Sequence, residues 1–293
     1  MLMLGHDKSR RYLHDGDLCI PLENFNDCRN CYSGNLFLLA SGGSAASFPV
    51  SRYTHFPFIA MNGSITRLVD ENIKPLFYMC DDENFVAARP DFAIMGIKHA
   101  RYTAMNLECF QTLHEFDPEA LPGKRIYLLE RVNRYYGQKP LPDRRFARSI
   151  RMDSELISGF SLLRKKPNRI GFSKNIQRGY FNARTIPYGA TQLAYFLGFR
   201  RVFIIGMDLR SSAGRFYEQG RDILPTGLDD DFKKYILPSF KIMVKKATAK
   251  EDFKVFNLSM ESRMPARVLP KINLEQLDQL LKEPLTLPHK SIP

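Results

Sequence analysis

Apolar residues along the chain come in short blocks separated by Gly, Pro, Asn or Asp, the pattern of strands buried on both faces. "NLFLLA" (35–40), "FPFIAMN" (56–62), "KPLFYMC" (74–80), "DFAIMGI" (91–97) and "RIYLLE" (125–130) predict five strands in succession. Later, Ala190 to Phe196 predict a buried helix with Gly198 as its C-cap, and "RVFIIGMD" a strand after a tight loop. A further helix is expected within 229–247, with Asp229 to Asp231 at the end where acids are favoured. "FKVFNLS" (253–259) reads as a last strand and "LEQLDQLLKE" (274–283) as a closing amphipathic helix. Strands alternating with helices predict an α/β fold, Rossmann-like and doubly wound, with a mainly parallel sheet.

Two stretches break this rhythm. Residues 1–33 are polar and turn-rich and read as an N-terminal extension. Residues 131–183 are basic, aromatic and poor in apolar runs, and read as an inserted basic lid region beside a site. The expected organisation is an extension (1–33), an α/β domain (34–260) and a C-terminal tail carrying the amphipathic helix (261–293).

Charge narrows the partners. The 43 Lys+Arg against 31 Asp+Glu leave a net +12, which suits nucleic acid, a phosphorylated glycan or an acidic membrane face. The basic clusters at 146–151, 162–169 and 245–250 read first as solvated faces. Without an RNA-recognition signature, a zinc finger or any Trp, nucleic acid is the weakest of the three, and none is expected. Five cysteines with a single C-x-x-C (Cys28, Cys31) offer no second metal-binding pair, so reduced thiols and no metal are expected. No run approaches the ~20 apolar residues of a membrane span, and nothing at the start resembles a leader. A cytoplasmic location follows as the expectation.

In doubly wound sheets, ligands bind beyond the carboxyl ends of the strands. That rule singles out Ser41 to Ser44, Asn62 to Ser64, Asp81 and Asp82, Asp208 to Arg210, and Asn257 to Ser259. Gly42, Gly43 and Ser44 open a helix start where bare amides favour an anion, although "ASGGSAAS" matches neither a dinucleotide fingerprint nor a Walker loop and serves equally as a plain turn. Asn62, followed by Gly63, can read a ribose or base edge or simply turn the chain. Asp81 and Asp82 can supply a general base, hold a hydroxyl, bind a divalent ion, or merely start a helix. Asp208 ends the most hydrophobic strand, where a carboxylate is costly unless paired or functional. Arg210 can be its partner or a phosphate clamp.

The order "LLASGGSA", "IAMNGS", "KPLFYMCDD", "QLAYFLGFRRVFIIGMDLRSSAGRFYEQG", "VFNLS" resembles the bacterial sialyltransferases that use CMP-sialic acid. It is still more similar to the lipopolysaccharide-core transferases that add a further Kdo (3-deoxy-manno-octulosonic acid), also activated as a CMP sugar. The resemblance runs over 34–260 in segments, closest at 36–82 and 185–217. It implies a nucleotide-sugar-binding domain with Ala40 to Ser44 as the nucleotide loop, Ser41 standing where the sialyltransferases have asparagine. It implies that Asn62, beside Gly63, contacts the nucleotide and that Asp208 matches the acid ending the late strand. Arg210 and Tyr217 fall near two tyrosines that contact the departing phosphate, and "RTIPYG", with Tyr188 and Gly189, falls near the segment that holds the donor. The family's catalytic histidine has no counterpart, because residues 209–288 contain no His. Asp81 or Asp82 is the expected base.

The implied activity is an inverting glycosyltransferase that moves Kdo from CMP-Kdo to the lipopolysaccharide inner core. It needs no metal or separate cofactor and sits peripherally at the cytoplasmic face of the inner membrane, against an anionic surface. Three alternatives stay open at this point. One is transfer of sialic acid or another nucleotide sugar, and another is a pterin diphosphokinase-like enzyme with Mg²⁺ at Asp81 and Asp82. The third is a basic module that binds RNA or membrane.

Overall fold

Six of the seven apolar runs read as strands, joined by one unexpected strand, pair into a seven-stranded sheet in a computed structural model that describes residues 1–7, 10–159, 169–218, 223–224 and 226–284. Three antiparallel strands come first: β1 (Met3–Asp7), β2 (Arg10–Asp15) and β3 (Leu18–Pro21). The main sheet is built from β4 (Asn35–Leu39), β5 (Phe58–Met61), β6 (Phe77–Cys80), β7 (Tyr102–Met105) and β8 (Ile126–Leu128). After the hairpin strands β9 (Leu156–Ser158) and β10 (Gly171–Ser173), it is completed by β11 (Arg201–Ile205) and β12 (Lys254–Asn257). Its order is β12-β11-β4-β5-β6-β7-β8, and every pairing is parallel.

Chain order reverses between β4 and β11. From β4 the sheet grows one way through β5 to β8 and the other way through β11 to β12, so the carboxyl ends of β4 and β11 flank the topological switch point. Alternate strand residues enter opposite layers. Leu36, Leu38, Ile59, Met79, Val202 and Ile204 pack toward Leu193, Phe196 and Leu197 of α6 (Ile186–Leu197). Phe37, Leu39, Phe58, Tyr78, Phe203 and Ile205 pack toward α1 (Ile65–Asp70), α3 (Pro90–His99) and α4 (Leu107–Phe116). Both faces are covered, as the continuous apolar strands require. Helix α6 starts with a proline in its first turn and ends at Gly198, at φ +101, where a Cβ would stand 2.4 Å from the Tyr32 carbonyl oxygen.

One expectation changes, and two segments gain detail. "DFAIMGI" is not a strand but most of α3: Pro90 presets the first turn and Asp91 suits its positive end, so the start signals outweigh the apolar run. The true fourth strand of the sheet is β7. Within the N-terminal extension, β1 to β3 form an antiparallel meander that packs on the domain, with Leu2, Leu13 and Ile20 buried in the core and Leu22 bridged to Ile126. The described part of region 131–183 contains α5 (Asp143–Ser149) and the β9–β10 pair and buries Phe146, Phe172, Tyr180 and Phe181. Of the basic cluster at 162–169, all but Arg169 lie outside the described residues.

The late helix is present. α7 (Leu228–Asp231) passes through a π-helical segment (Phe232–Ile236) into α8 (Leu237–Ile242) and a second π segment (Met243–Ala247). The closing helix α9 (Leu274–Lys282) buries Leu277 and starts with a capping box between Asn273 and Gln276. Among the described residues, no helix is long and apolar enough to cross a membrane.

Candidate active site

The Gly42–Gly43 turn and the end of β11 are bonded to each other. Gly42 N–H donates to the Gly206 carbonyl at 2.9 Å, Ser44 N–H to Asp208 Oδ2 at 2.9 Å, and the Ser44 hydroxyl to Asp208 Oδ1. Ser44 Oγ also lies 2.8 Å from Ser259 Oγ, joining the end of β12 to the same knot. Asp208 is only 6% exposed, and these donors are what make its burial tolerable. The glycines have the same cause. A Cβ on Gly42 would fall 2.5 Å from the Gly206 oxygen, and one on Gly43 would fall 2.6 Å from the Ala213 oxygen. The backbone therefore comes close to the protein's own chain, and the Gly42 and Ser44 amides that the sequence offered to an anion are already bonded.

After β11 two residues are left-handed, Gly206 at φ +73 and Leu209 at φ +58. A buried leucine in that region is strained, and such strain concentrates at sites the surrounding structure over-determines. The double turn carries Arg210 to Arg215 back over the Ser41–Ser44 turn, where Phe216 N–H donates to the Ser41 carbonyl at 3.1 Å.

Beneath this lies a cleft of about 540 Å³, within the usual range for small-molecule sites. Ser41, Gly42, Asn62, Asp81, Asp82, Asp208 and Arg210 line it. Asn62 is left-handed, at φ +50, and its Oδ1 is buried with no hydrogen-bond partner among the described residues. A buried orphan acceptor costs about 1–3 kcal/mol, so it marks a place where a donor is missing.

Asp81, its side chain 5% exposed, is the hub of the opposite wall. It accepts from Arg131 Nη2 at 2.8 Å, Arg131 Nε at 3.2 Å, Asn106 Nδ2 at 2.9 Å and Asn182 Nδ2 at 2.7 Å, and also from the Tyr180 hydroxyl. Burial pushes its carboxyl up, while the Arg131 guanidinium and Tyr180 pull it down. In return Asp81 strengthens the hold of Arg131 on its proton. Both Asp81 oxygens are filled by donors, so the side chain ties Asn106, Arg131, Tyr180 and Asn182 together. Asp82 differs: it is exposed, caps α2 (Glu83–Ala88) by accepting from Phe85 N–H at 3.3 Å through Oδ1, and presents its carboxylate to the cleft.

Six of the expected residues lie outside the lining. Gly43 and Ser44 belong to the knot behind it. Gly63 makes room for the Tyr217 ring, which a Cβ there would approach to 2.4 Å. Tyr217 packs edge-on to Phe92 at 5.4 Å, its buried hydroxyl lying near Ser41 but in no well-formed hydrogen bond among the described residues, and pushed up to about 12 chiefly by burial. Tyr188 is wholly buried, donating to the Gly171 and Ser239 carbonyls at 2.7 and 3.0 Å, and Gly189 faces the Tyr180 ring. The part of "RTIPYG" that reaches the cleft is Arg184 to Pro187, because the helical turn rotates the next two residues inward.

Residues that motif reading missed include Asn106, Glu108, Arg131, Tyr180, Asn182 and Arg215. Asn106 follows β7, so the strand-end rule finds it once β7 is recognised. Among the described residues, no group of three or more His, Cys, Asp or Glu is arranged to hold a metal ion, and no His lines the cleft.

Residues 24–275 match the family described as 3-deoxy-D-manno-octulosonic acid transferase WaaZ. The chain is 28% identical to a probable 3-deoxy-manno-octulosonic acid transferase of Escherichia coli K12, over 92% of this chain and 91% of that protein. It is 29% identical to a protein of the same description from Salmonella typhimurium LT2, over 82% and 87%. Among solved structures, the MAf glycosyltransferase from Magnetospirillum magneticum AMB-1 is similar at a TM-score of 0.47 and 16% identity, over 86% of this chain and 34% of that one. A variant of the sialyltransferase CST-II in complex with CMP is similar at 0.40 and 13%, over 80% and 84%.

Proposed function

The chain belongs to the 3-deoxy-D-manno-octulosonic acid transferase family and is a glycosyltransferase, and we propose that it moves Kdo from CMP-Kdo, with inversion, to the inner core of lipopolysaccharide. Membership sets aside the diphosphokinase and non-enzymatic readings. The observation that supports the donor assignment is Asn62, a left-handed residue lining the cleft at the switch point whose buried Oδ1 lacks a donor among the described residues, so that a turn of its side chain would offer that oxygen to an amine or hydroxyl of cytidine.

In this reading the cytidylate phosphate lies against Ser41, Gly42 and Arg210. Arg210 has no carboxylate partner among the described residues, so its charge is available as the phosphate gains charge. Asp82 takes the proton of the acceptor hydroxyl as that oxygen bonds to the anomeric carbon. The anomeric carbon–oxygen bond to the phosphate breaks on the other face and CMP leaves. No metal is required, because one phosphate monoanion is within the reach of a guanidinium and a hydroxyl. The expected membrane contact is supported by Arg144, Arg145, Arg148 and Arg151, which are exposed beside the exposed Leu141 and Met152. Each such cation adds about 1 kcal/mol near an anionic leaflet, which suits work on the cytoplasmic face of the inner membrane.

Thermal shift with CMP, CDP, UDP, ATP and GTP, with Mg²⁺ and with EDTA, tests the donor. A ligand at ~100 Kd stabilises by about 2.7 kcal/mol, and CMP should do so without metal. Transfer from CMP-Kdo generated in situ to truncated core acceptors, read by mass spectrometry, tests the reaction. Asp82→Asn should lower kcat by about 10²–10⁴ and leave CMP binding intact. If CMP gives no shift while another nucleotide does, the donor is wrong.

A further inference from the structure

A second, smaller pocket of about 80 Å³ adjoins the cleft and shares Arg131, Tyr180, Asn182 and Arg184 with it. It contains none of the Ser41, Gly42, Asn62 and Asp208 wall, so it lies at the end of the cleft away from the proposed nucleotide site. Four guanidiniums line it, from Arg131, Arg134, Arg169 and Arg184. Two are matched by carboxylates, Arg131 by Asp81 at 2.8 Å and Arg169 by Asp143 at 2.8 Å. Arg134 and Arg184 have no carboxylate partner among the described residues, which leaves the pocket two positive charges in excess.

The excess is held in place by the fold. Arg184 is left-handed at φ +62, its N–H donates to Asn182 Oδ1 at 2.7 Å, and its guanidinium lies 5.7 Å from the centre of the Tyr235 ring. Asn182 is tied in turn to Asp81 at 2.7 Å. Burial, and then repulsion from Arg169 and Arg131, loosens the hold of Arg134 on its proton. Gathering like charges in this way is unfavourable in the free protein and is relieved by an anion. The volume equals about two or three waters, room for a small charged group but not for a sugar ring.

We propose that this pocket is the acceptor subsite, in which Arg134 and Arg184 bind an oxyanion, carboxylate or phosphate, carried by the sugar that receives the transferred residue. The inference rests on the glycosyltransferase reading above, and the acceptor it selects is an anionic saccharide. Arg131, fixed by Asp81, joins the two pockets and orients that saccharide toward the transfer site.

The test uses the full chain saturated with CMP and, as probe, core oligosaccharide from deacylated lipopolysaccharide, native or chemically dephosphorylated. Calorimetry on the wild type, Arg134→Gln, Arg134→Lys and Arg184→Gln should show oligosaccharide affinity falling about tenfold in each Gln variant, with partial recovery in Arg134→Lys and unchanged CMP affinity. If dephosphorylation of the probe abolishes the effect, the bound group is a phosphate; if the effect persists, it is a carboxylate. Unchanged oligosaccharide affinity in both Gln variants overturns the subsite. So does a rise in the KM for CMP-Kdo with the acceptor KM unchanged, which would assign the pocket to the donor carboxylate. Failure of the wild type to bind CMP is a different result and would fall on the donor reading instead.

Discussion

Replacing Asn62 with glycine should stabilise the free protein and weaken its nucleotide binding. The native residue is left-handed at φ +50 and keeps a buried oxygen without a donor. Deleting that oxygen removes a penalty of about 1–3 kcal/mol. Glycine also enters the left-handed region freely, but gives back about 0.5–1 kcal/mol through the larger freedom of its unfolded chain. The net gain is on the order of 1 kcal/mol, or about 2–4 °C in Tm for a domain of this size class. In the complex the balance reverses, because the lost hydrogen bond with cytidine is worth about 1–3 kcal/mol, or roughly five- to 150-fold in Kd. Scanning calorimetry of the free variant and titration calorimetry with CMP measure the two terms separately. Asn62→Ala keeps the backbone strain and should fall below Asn62→Gly in Tm. A lower Tm for the glycine variant, or a CMP affinity within twofold of wild type, refutes the argument.

Three further outcomes follow from the geometry. Asp81→Asn should cost about 3–5 kcal/mol of stability, since it strands Arg131 and turns an amide donor toward Asn106, Asn182 or Tyr180; a normal Tm with lost turnover would restore Asp81 as the base. Tyr217→Phe should leave kcat within a few fold and Tm unchanged or higher, because the hydroxyl it removes is buried and in no well-formed hydrogen bond among the described residues; a hundredfold fall in kcat would return Tyr217 to the catalytic set. The Arg178 guanidinium holds Asp153 below the usual carboxylate range, and Asn175, followed by Arg29 and Arg178, does the same for Glu155. Depressed values mean stability present above the unfolded pKa of about 4 and lost as pH falls through the folded values. Arg178→Gln should therefore be less stable than wild type at neutral pH, with the gap closing in acid; a gap independent of pH in denaturant titrations would contradict this.

What could be read before the structure, and what could not, follows from the range over which each signal acts. β4, β5, β6 and β11 are unbroken apolar runs, and a strand buried on both faces needs nothing else to announce it. The strand-end rule then brought Ser41, Asn62, Asp82, Asp208 and Arg210 to one cleft. β7 failed that test because "YTAM" is short and carries Thr103, which is buried although polar, while the neighbouring "DFAIMGI" is more apolar yet helical. With β7 went Asn106. The Asp81 hub had no local trace, since its partners stand 25 to 101 residues away in the chain.

Gly42 and Gly43 show why a glycine-rich turn is ambiguous until the chain is folded. A missing Cβ permits close approach, but the pattern does not say whether the approaching group is a phosphate or another strand. Here Gly206 and Ala213 carbonyls occupy the space, and Asp208 takes the Ser44 amide. The glycines thus weld β4 to β11 and so build the floor of the cleft. What remains for a ligand are groups the pattern ranked lower: the Asn62 side chain, whose buried oxygen lacks a donor, the exposed carboxylate of Asp82, and the guanidiniums of Arg134, Arg184 and Arg210 that no carboxylate neutralises among the described residues. Burial without a partner and charge without a counter-charge are costs to the free protein. Their distribution along one cleft, from the switch point to the arginine-lined pocket, is the physical reason to expect an anionic nucleotide at one end and an anionic saccharide at the other.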